Sequence, residues 1–168
     1  MASVDRVYVD PSALLKLYLR EAESRAVAAW RSRVGDPLIV THHGHVELVN
    51  AVGLAVNRKM ISETAGKAAL GALDQDFQDG RYALADMLWR ATLKRAAELS
   101  RAHTQETGCR TLDIIHVASA VELGMKDFVT FDERQQRLAR HCGLRLVVPG
   151  KAGLEVAGPR RTRRTSRG

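Results

Sequence analysis

Residues 128–148, FVTFDERQQRLARHCGLRLVV, read as a strand, a helix and a second strand in quick succession. Phe128–Phe131 combines the aromatic and β-branched types that suit a buried strand, Glu133–Cys142 is the helix between, and Leu144–Val148 is a second apolar run stopped by Pro149. The same alternation extends toward the N-terminus. Asp5–Asp10 (DRVYVD) alternates polar with apolar as a short strand, and Pro11 suits the first position of a helix over Pro11–Leu19, with Ala13, Leu14, Leu17 and Tyr18 at helical spacing. A second helix, Glu23–Arg33, sets Val27 and Trp30 on one face, and Pro37–Thr41 (PLIVT) is another buried strand. After Gly44, the run Val46, Leu48, Val49, Val52, Leu54 and Val56 predicts a helix to about Met60, and Ser62 opens another through Phe77. Ala83–Thr107 has the pattern of one long or two consecutive helices, stopped by Gly108; Thr111 then caps a helix closed by Gly124. Strands that alternate with helices predict an α/β fold, a mostly parallel central sheet with helices on both faces.

The 168 residues, 45% hydrophobic and 27% charged, fit one domain able to bury a core without a disulfide lattice or structural metal. Cys109 and Cys142 lie far apart, match no metal or redox spacing, and read as reduced thiols of a cytoplasmic protein. Leu48–Asn57, the longest uncharged stretch near the middle, is half a membrane span, and Asp5 stands where a signal peptide would be apolar. Of the net charge of +7, Arg160, Arg161, Arg163, Arg164 and Arg167 supply five, which leaves +2 on residues 1–159. The expected organisation is a folded domain over 1–150 and a flexible basic tail over 151–168. Such a tail is either a salt-sensitive phosphate-binding arm or a solvated end.

No phosphate-cradling glycine loop, nucleophile elbow or zinc spacing is present. What remains is a set of acids. Asp10 and Asp132 each end a strand just before a helix, and Glu47 and Asp113 each fall in or near the first turn of one. In an open parallel sheet functional groups gather beyond the carboxyl ends of the strands. Each acid singly reads as a helix cap or a complement to the helix dipole. Together, in the apolar settings VYVDPSALL, HVELVNAV, TLDIIHVA and FVTFDERQ, they are costly to bury unless they share a divalent cation.

In that order and setting, Asp10, Glu47, Asp113 and Asp132 resemble the acidic quartet of PIN-domain nucleases, and YVDPSALLKLYLREAES, RTLDIIHVASAVELG and FVTFDERQQRLA resemble the VapC toxins of bacterial toxin–antitoxin pairs. The resemblance runs from about Tyr8 to Pro149. It implies a PIN-like three-layer sandwich, a metal-dependent endoribonuclease cutting RNA with Mg²⁺ or Mn²⁺, a homodimer, and a VapB-like antitoxin partner. It places the metal-site acids on Asp10, Glu47, Asp113 and Asp132, and matches Ser12 and Thr130 to small hydroxyl residues that either donate hydrogen bonds to the carboxylates or to water or serve as cap or turn hydroxyls. Mg²⁺ takes one or two direct carboxylates and keeps several waters, so Asp10 and Asp113 are expected as direct ligands, with Glu47 and Asp132 acting through water.

The surroundings leave alternatives open. Arg110 would pair with Asp113, bind a phosphate or be solvated. His116 would be a donor behind the acids or a core histidine, and its apolar helix favours the core. His42, His43, Gly44 and His45 stand where the family commonly has small polar residues. His42 and His45 suit a transition metal but lack the spaced partners of a defined site. Leu14, Leu17, Tyr18 and Trp30 are the expected antitoxin surface, against the alternative that they are core. A haloacid-dehalogenase-like phosphatase would need a second Asp where Ser12 stands. A noncatalytic RNA- or partner-binding module of the same fold is the other reading.

Overall fold

The computed structural model describes residues 6–35 and 37–151. Five strands form one wholly parallel sheet in the order β3-β2-β1-β4-β5: β1 is Val7–Val9, β2 Leu38–Thr41, β3 Tyr82–Ala85, β4 Asp127–Val129 and β5 Arg145–Val147. Seven helices connect them: α1 Pro11–Leu15, α2 Ser24–Arg31, α3 His42–Asn57, α4 Glu63–Gln78, α5 Trp89–Thr107, α6 Thr111–Glu122 and α7 Glu133–His141. This is the expected α/β sandwich.

Side chains alternate across a strand, so β1 serves two cores at once. Val7 and Val9 pack with Ala13, Leu14, Leu38, Leu48, Leu73 and Val129. Tyr8 faces the other way, into Ile114, Val117, Phe128, Leu138 and Leu146. Its ring stacks on Phe128 at 5.5 Å between centroids. Both sheet faces are covered, which makes three layers.

The chain departs from the expected elements at three places. The start of the supposed helix over Ala83–Thr107 is instead β3, paired with β2 from Leu38↔Tyr82 to Thr41↔Ala85, and the helix begins at Trp89. The helix expected after Gly44 starts earlier, at His42, with the Thr41 hydroxyl accepting from the Gly44 N–H at 3.2 Å. A Cβ at Gly44 would lie 3.0 Å from Thr41 Oγ1 and 3.4 Å from Pro11, so glycine here permits the close approach of α3 to the start of α1. The helix expected over Pro11–Leu19 ends at Leu15, and the following turns carry Tyr18 to Asp76 and Tyr82, to which its hydroxyl is hydrogen-bonded. Of the expected antitoxin surface, Leu14 is core, while Leu17, Tyr18 and Trp30 are half-buried against the same cluster.

Cys109 is buried and Cys142 half-buried, both unpaired, and burial pushes the Cys142 thiol up to about 11. No helix among the described residues is long and apolar enough to cross a membrane. The arginine run at 160–167 lies outside the described residues.

Candidate active site

Strand order reverses about β1, since β2 lies on one side and β4 on the other. The carboxyl ends of β1 and β4 therefore border the crevice where an open parallel sheet presents its functional groups. Asp10 leaves β1 there, its N–H bonded to the Val129 carbonyl at 3.0 Å, and Thr130 and Asp132 follow β4. Glu47 arrives from the second turn of α3 and Asp113 from the first turn of α6.

One residue ties three of these acids together, and sequence reading did not single it out. Gln135 Nε2 donates to Asp10 Oδ1 at 3.0 Å and to Asp113 Oδ1 at 3.1 Å, while its main-chain N–H donates to Asp132 Oδ1 at 3.2 Å. Gln135 is 2% exposed, and its Oε1 is buried with no partner. The sequence held a signal: Gln135 is three and four residues before the buried Leu138 and Ala139, so a polar side chain lies on the apolar face of α7.

Glu47 is held by a different chain of groups. His116 Nε2 meets Glu47 Oε1 at 3.0 Å, and its Nδ1 meets the Tyr8 hydroxyl at 2.7 Å. A carboxylate only accepts, so Nε2 carries a proton, and in the neutral ring Nδ1 accepts from Tyr8. Burial pushes the Tyr8 phenol up, which keeps it a donor at neutral pH. His116 is thus both deeply buried and joined to the acids, where the apolar helix had favoured a core role alone. His43 stacks on His116 at 4.7 Å and meets the Trp89 edge at 5.2 Å; burial first, then His116, lower it to about 4, so it is uncharged at neutral pH. His42 instead reaches Asp86 at 3.2 Å and His45 packs on Phe77. The three point to separate elements and share no ligand position.

Asp10 is 3% exposed. Burial pushes its carboxyl above the ordinary range; His116, the Ser12 hydroxyl and Gln135 oppose the rise, and Glu47 adds to it. Ser12 donates to Asp10 through both its N–H and its hydroxyl, and the N–H contact also caps α1. Thr130 takes the other of its two readings, a turn hydroxyl. Its hydroxyl accepts from the Asp132 N–H at 3.1 Å, so it shapes the turn into α7. Arg110 bonds Asp113 through its main-chain N–H at 3.0 Å, and the residue itself is exposed.

Asp132 is the most occupied acid. It caps α7 through the N–H groups of Arg134 and Gln135, and the Arg134 guanidinium closes on Oδ2 at 2.9 Å. Burial pushes this carboxyl up, but Arg134 and the helix N–H groups outweigh it and hold the group below the ordinary range. A depressed pKa stabilises the fold above the unfolded value of about 4 and loses that contribution as pH falls through the folded value. Asp132→Ala is therefore expected to lower urea-denaturation stability at pH 7 by about 0.5–2 kcal/mol, as for a lost helix cap. The deficit should shrink below about pH 4. An undiminished deficit there would assign the loss to packing.

The donor set fits a hard divalent cation. Carboxylate oxygens are the ligands Mg²⁺ and Mn²⁺ prefer, the buried Asp10 is under-compensated, and an amide N–H₂ stands between Asp10 and Asp113 as a positive dipole where a cation would neutralise more.

The family model described as the PIN domain matches residues 7–141. Over 145 residues the chain is 29% identical to Ribonuclease VapC46 of Mycobacterium tuberculosis, a match covering 85% of this chain and 97% of the relative. The solved structure of FitAcB from Neisseria gonorrhoeae shares the fold, with a TM-score of 0.59 at 16% identity over 84% of this chain and 95% of that one.

Proposed function

The chain belongs to the PIN domain family, and from that premise we propose that it is a metal-dependent endoribonuclease of the VapC type, the toxin of a toxin–antitoxin pair, acting in the cytoplasm. The observation that carries the reading is the meeting of Asp10 and Asp113 on one buried amide, with Glu47 held alongside by His116. The likeness to a relative named as a ribonuclease supports it.

Asp10 and Asp113 would hold Mg²⁺ or Mn²⁺ directly, with Glu47 and Asp132 facing its waters. The cation, when bound, would supply neutralisation of phosphate charge and a more acidic water. The rest falls to this chain's own residues. Glu47, oriented by its bond from His116, accepts a proton from the attacking water. Tyr8 fixes the imidazole that orients Glu47. Arg110 holds a phosphate of the RNA at the mouth of the site, and Arg134 keeps Asp132 ionised. The test is incubation of the purified protein with RNA and Mg²⁺. Cleavage that chelator stops, and that Glu47→Gln reduces by about 10²-fold or more as for a lost general base, is the expected result. RNA binding without cleavage under any divalent cation would favour the noncatalytic module.

Two partner surfaces complete the proposal. Leu88, 81% exposed, stands with Trp89 and Leu93 at the start of α5, an apolar surface that a second copy of the chain would cover. Leu93→Glu is expected to convert a dimer to a monomer in light scattering; an unchanged mass would place the dimer contact elsewhere. The antitoxin would reach the half-buried Leu17, Tyr18 and Trp30. We further propose that the tail adds RNA affinity without chemistry. Deleting residues 160–168 should flatten the slope of log affinity against log salt by about 2–3.5, at about 0.7 per phosphate contact. The saturating cleavage rate should stay the same.

A further inference from the structure

Away from the acids, His103, Glu106 and His141 bring their ligand atoms within 4.8 Å of one another. His103 and Glu106 are three residues apart on α5 and so share a face, and His141 is the last residue of α7. The two imidazoles lie nearly parallel, 4.4 Å between centroids and 18° between planes, and His141 Nε2 meets Glu106 Oε1 at 3.2 Å. We propose that these three residues form a second cation site, selective for a borderline transition metal of the Zn²⁺ class and distinct from the carboxylate site.

The donor set carries the assignment. Two imidazoles and one carboxylate suit Zn²⁺, Co²⁺ or Ni²⁺, whereas Mg²⁺ demands oxygen. Bonds of about 2.0–2.2 Å place tetrahedral ligand atoms roughly 3.3 Å apart, so the three must close by about 1.5 Å at most. Their freedom allows it, since Glu106 is exposed and the rings are held by stacking and one hydrogen bond. The ion would replace the proton shared by His141 and Glu106. Three protein ligands leave a fourth position open to water.

The place is separate from the crevice. Asp132 caps one end of the nine-residue α7 and His141 ends the other, about 13 Å along the axis at 1.5 Å per residue. An ion here would fasten the last turns of α5, which lead through Gly108 toward Asp113, to the far end of the helix that Asp132 caps. Its expected effect is on stability and on the rigidity of those approaches.

The test uses full-length protein in excess Mg²⁺, which occupies the carboxylate site, with Zn²⁺ alone as probe for melting and Co²⁺ alone for visible absorption. One Co²⁺ per chain with a tetrahedral d–d band is expected, together with a rise in melting temperature of about 5–10 °C at Zn²⁺ a hundredfold above its dissociation constant. His141→Gln and His103→Gln should lose both responses, and Asp10→Asn should keep both. All three ligands lie on the surface or near it, so the variants fold, which circular dichroism checks. No Co²⁺ band in the parent protein overturns the proposal. So does a Zn²⁺ response undiminished in both histidine variants, which would move binding to other residues such as His42 or His45. Retained RNA cleavage in the two histidine variants separates this site from the activity.

Discussion

Asp10→Asn is expected to reduce metal-dependent RNA cleavage by about 10²–10³-fold or more, the scale of losing one group that stabilises developing charge. The same substitution should raise, not lower, the melting temperature in chelator. Burial holds the Asp10 carboxyl above its ordinary pKa, so the folded chain disfavours the ionised form. A pKa raised in the fold means no penalty below about pH 4 and a growing one as pH rises through the folded value. Asparagine carries no charge at any pH, and its side-chain oxygen still accepts from the Ser12 N–H that caps α1. The variant should therefore melt above the parent at pH 7 in chelator and alongside it near pH 4. Cleavage at the parent's rate would reduce Asp10 to a helix cap, and a lower melting temperature at pH 7 would show that its charge is satisfied without a cation.

Gln135→Leu tests the link itself. It keeps approximate size on the buried face of α7 and removes the only amide donated to both Asp10 and Asp113 among the hydrogen bonds described above. Asp10 keeps its donors on Ser12 and Asp113 keeps the Arg110 N–H, but each loses a charge-assisted bond at a buried site, a loss of about 1–3 kcal/mol that lowers melting in chelator by about 3–10 °C for a chain this size. Saturating Mg²⁺ should narrow the gap, because a cation supplies the positive charge that the amide's dipole only approximates. Gln136→Leu is the control. It removes a bond of the neighbouring amide to the Thr130 carbonyl, and its deficit should not respond to Mg²⁺. Equal Mg²⁺ responses in the two variants would show that Gln135 is a packing residue.

The alternation of strand and helix was legible because central strands here are short apolar runs bounded by proline, glycine or acids. β3 was not. Its YALA sequence has little β-branching, alanine favours helix, and Leu84 and Leu88 continue the spacing of α5; only pairing with β2 at the sheet edge makes it a strand. Gly44 misled in the same way, since glycine ordinarily interrupts a helix but sits in the first turn of α3 because Thr41 and Pro11 approach there. The acids were legible one at a time, as carboxylates in apolar settings. Of the groups that organise them, Gln135 was not and His116 was only one of two readings, because both act across elements: spacing along one helix says nothing about an amide reaching a residue 125 positions earlier, or an imidazole reaching one 69 earlier.

The sheet order also governs when the site exists during synthesis. β1 is made first yet lies in the middle, and its second neighbour, β4, is nearly the last strand translated. Asp10 emerges from the ribosome on the order of ten seconds before Gln135 at ordinary elongation rates. Glu47 and Asp113 are made within that interval, but the strand that brings Asp132 and Gln135 to Asp10 is not yet paired with β1. The site of a protein that attacks RNA thus closes only once β4 has joined β1, late in synthesis on a ribosome that is itself built of RNA.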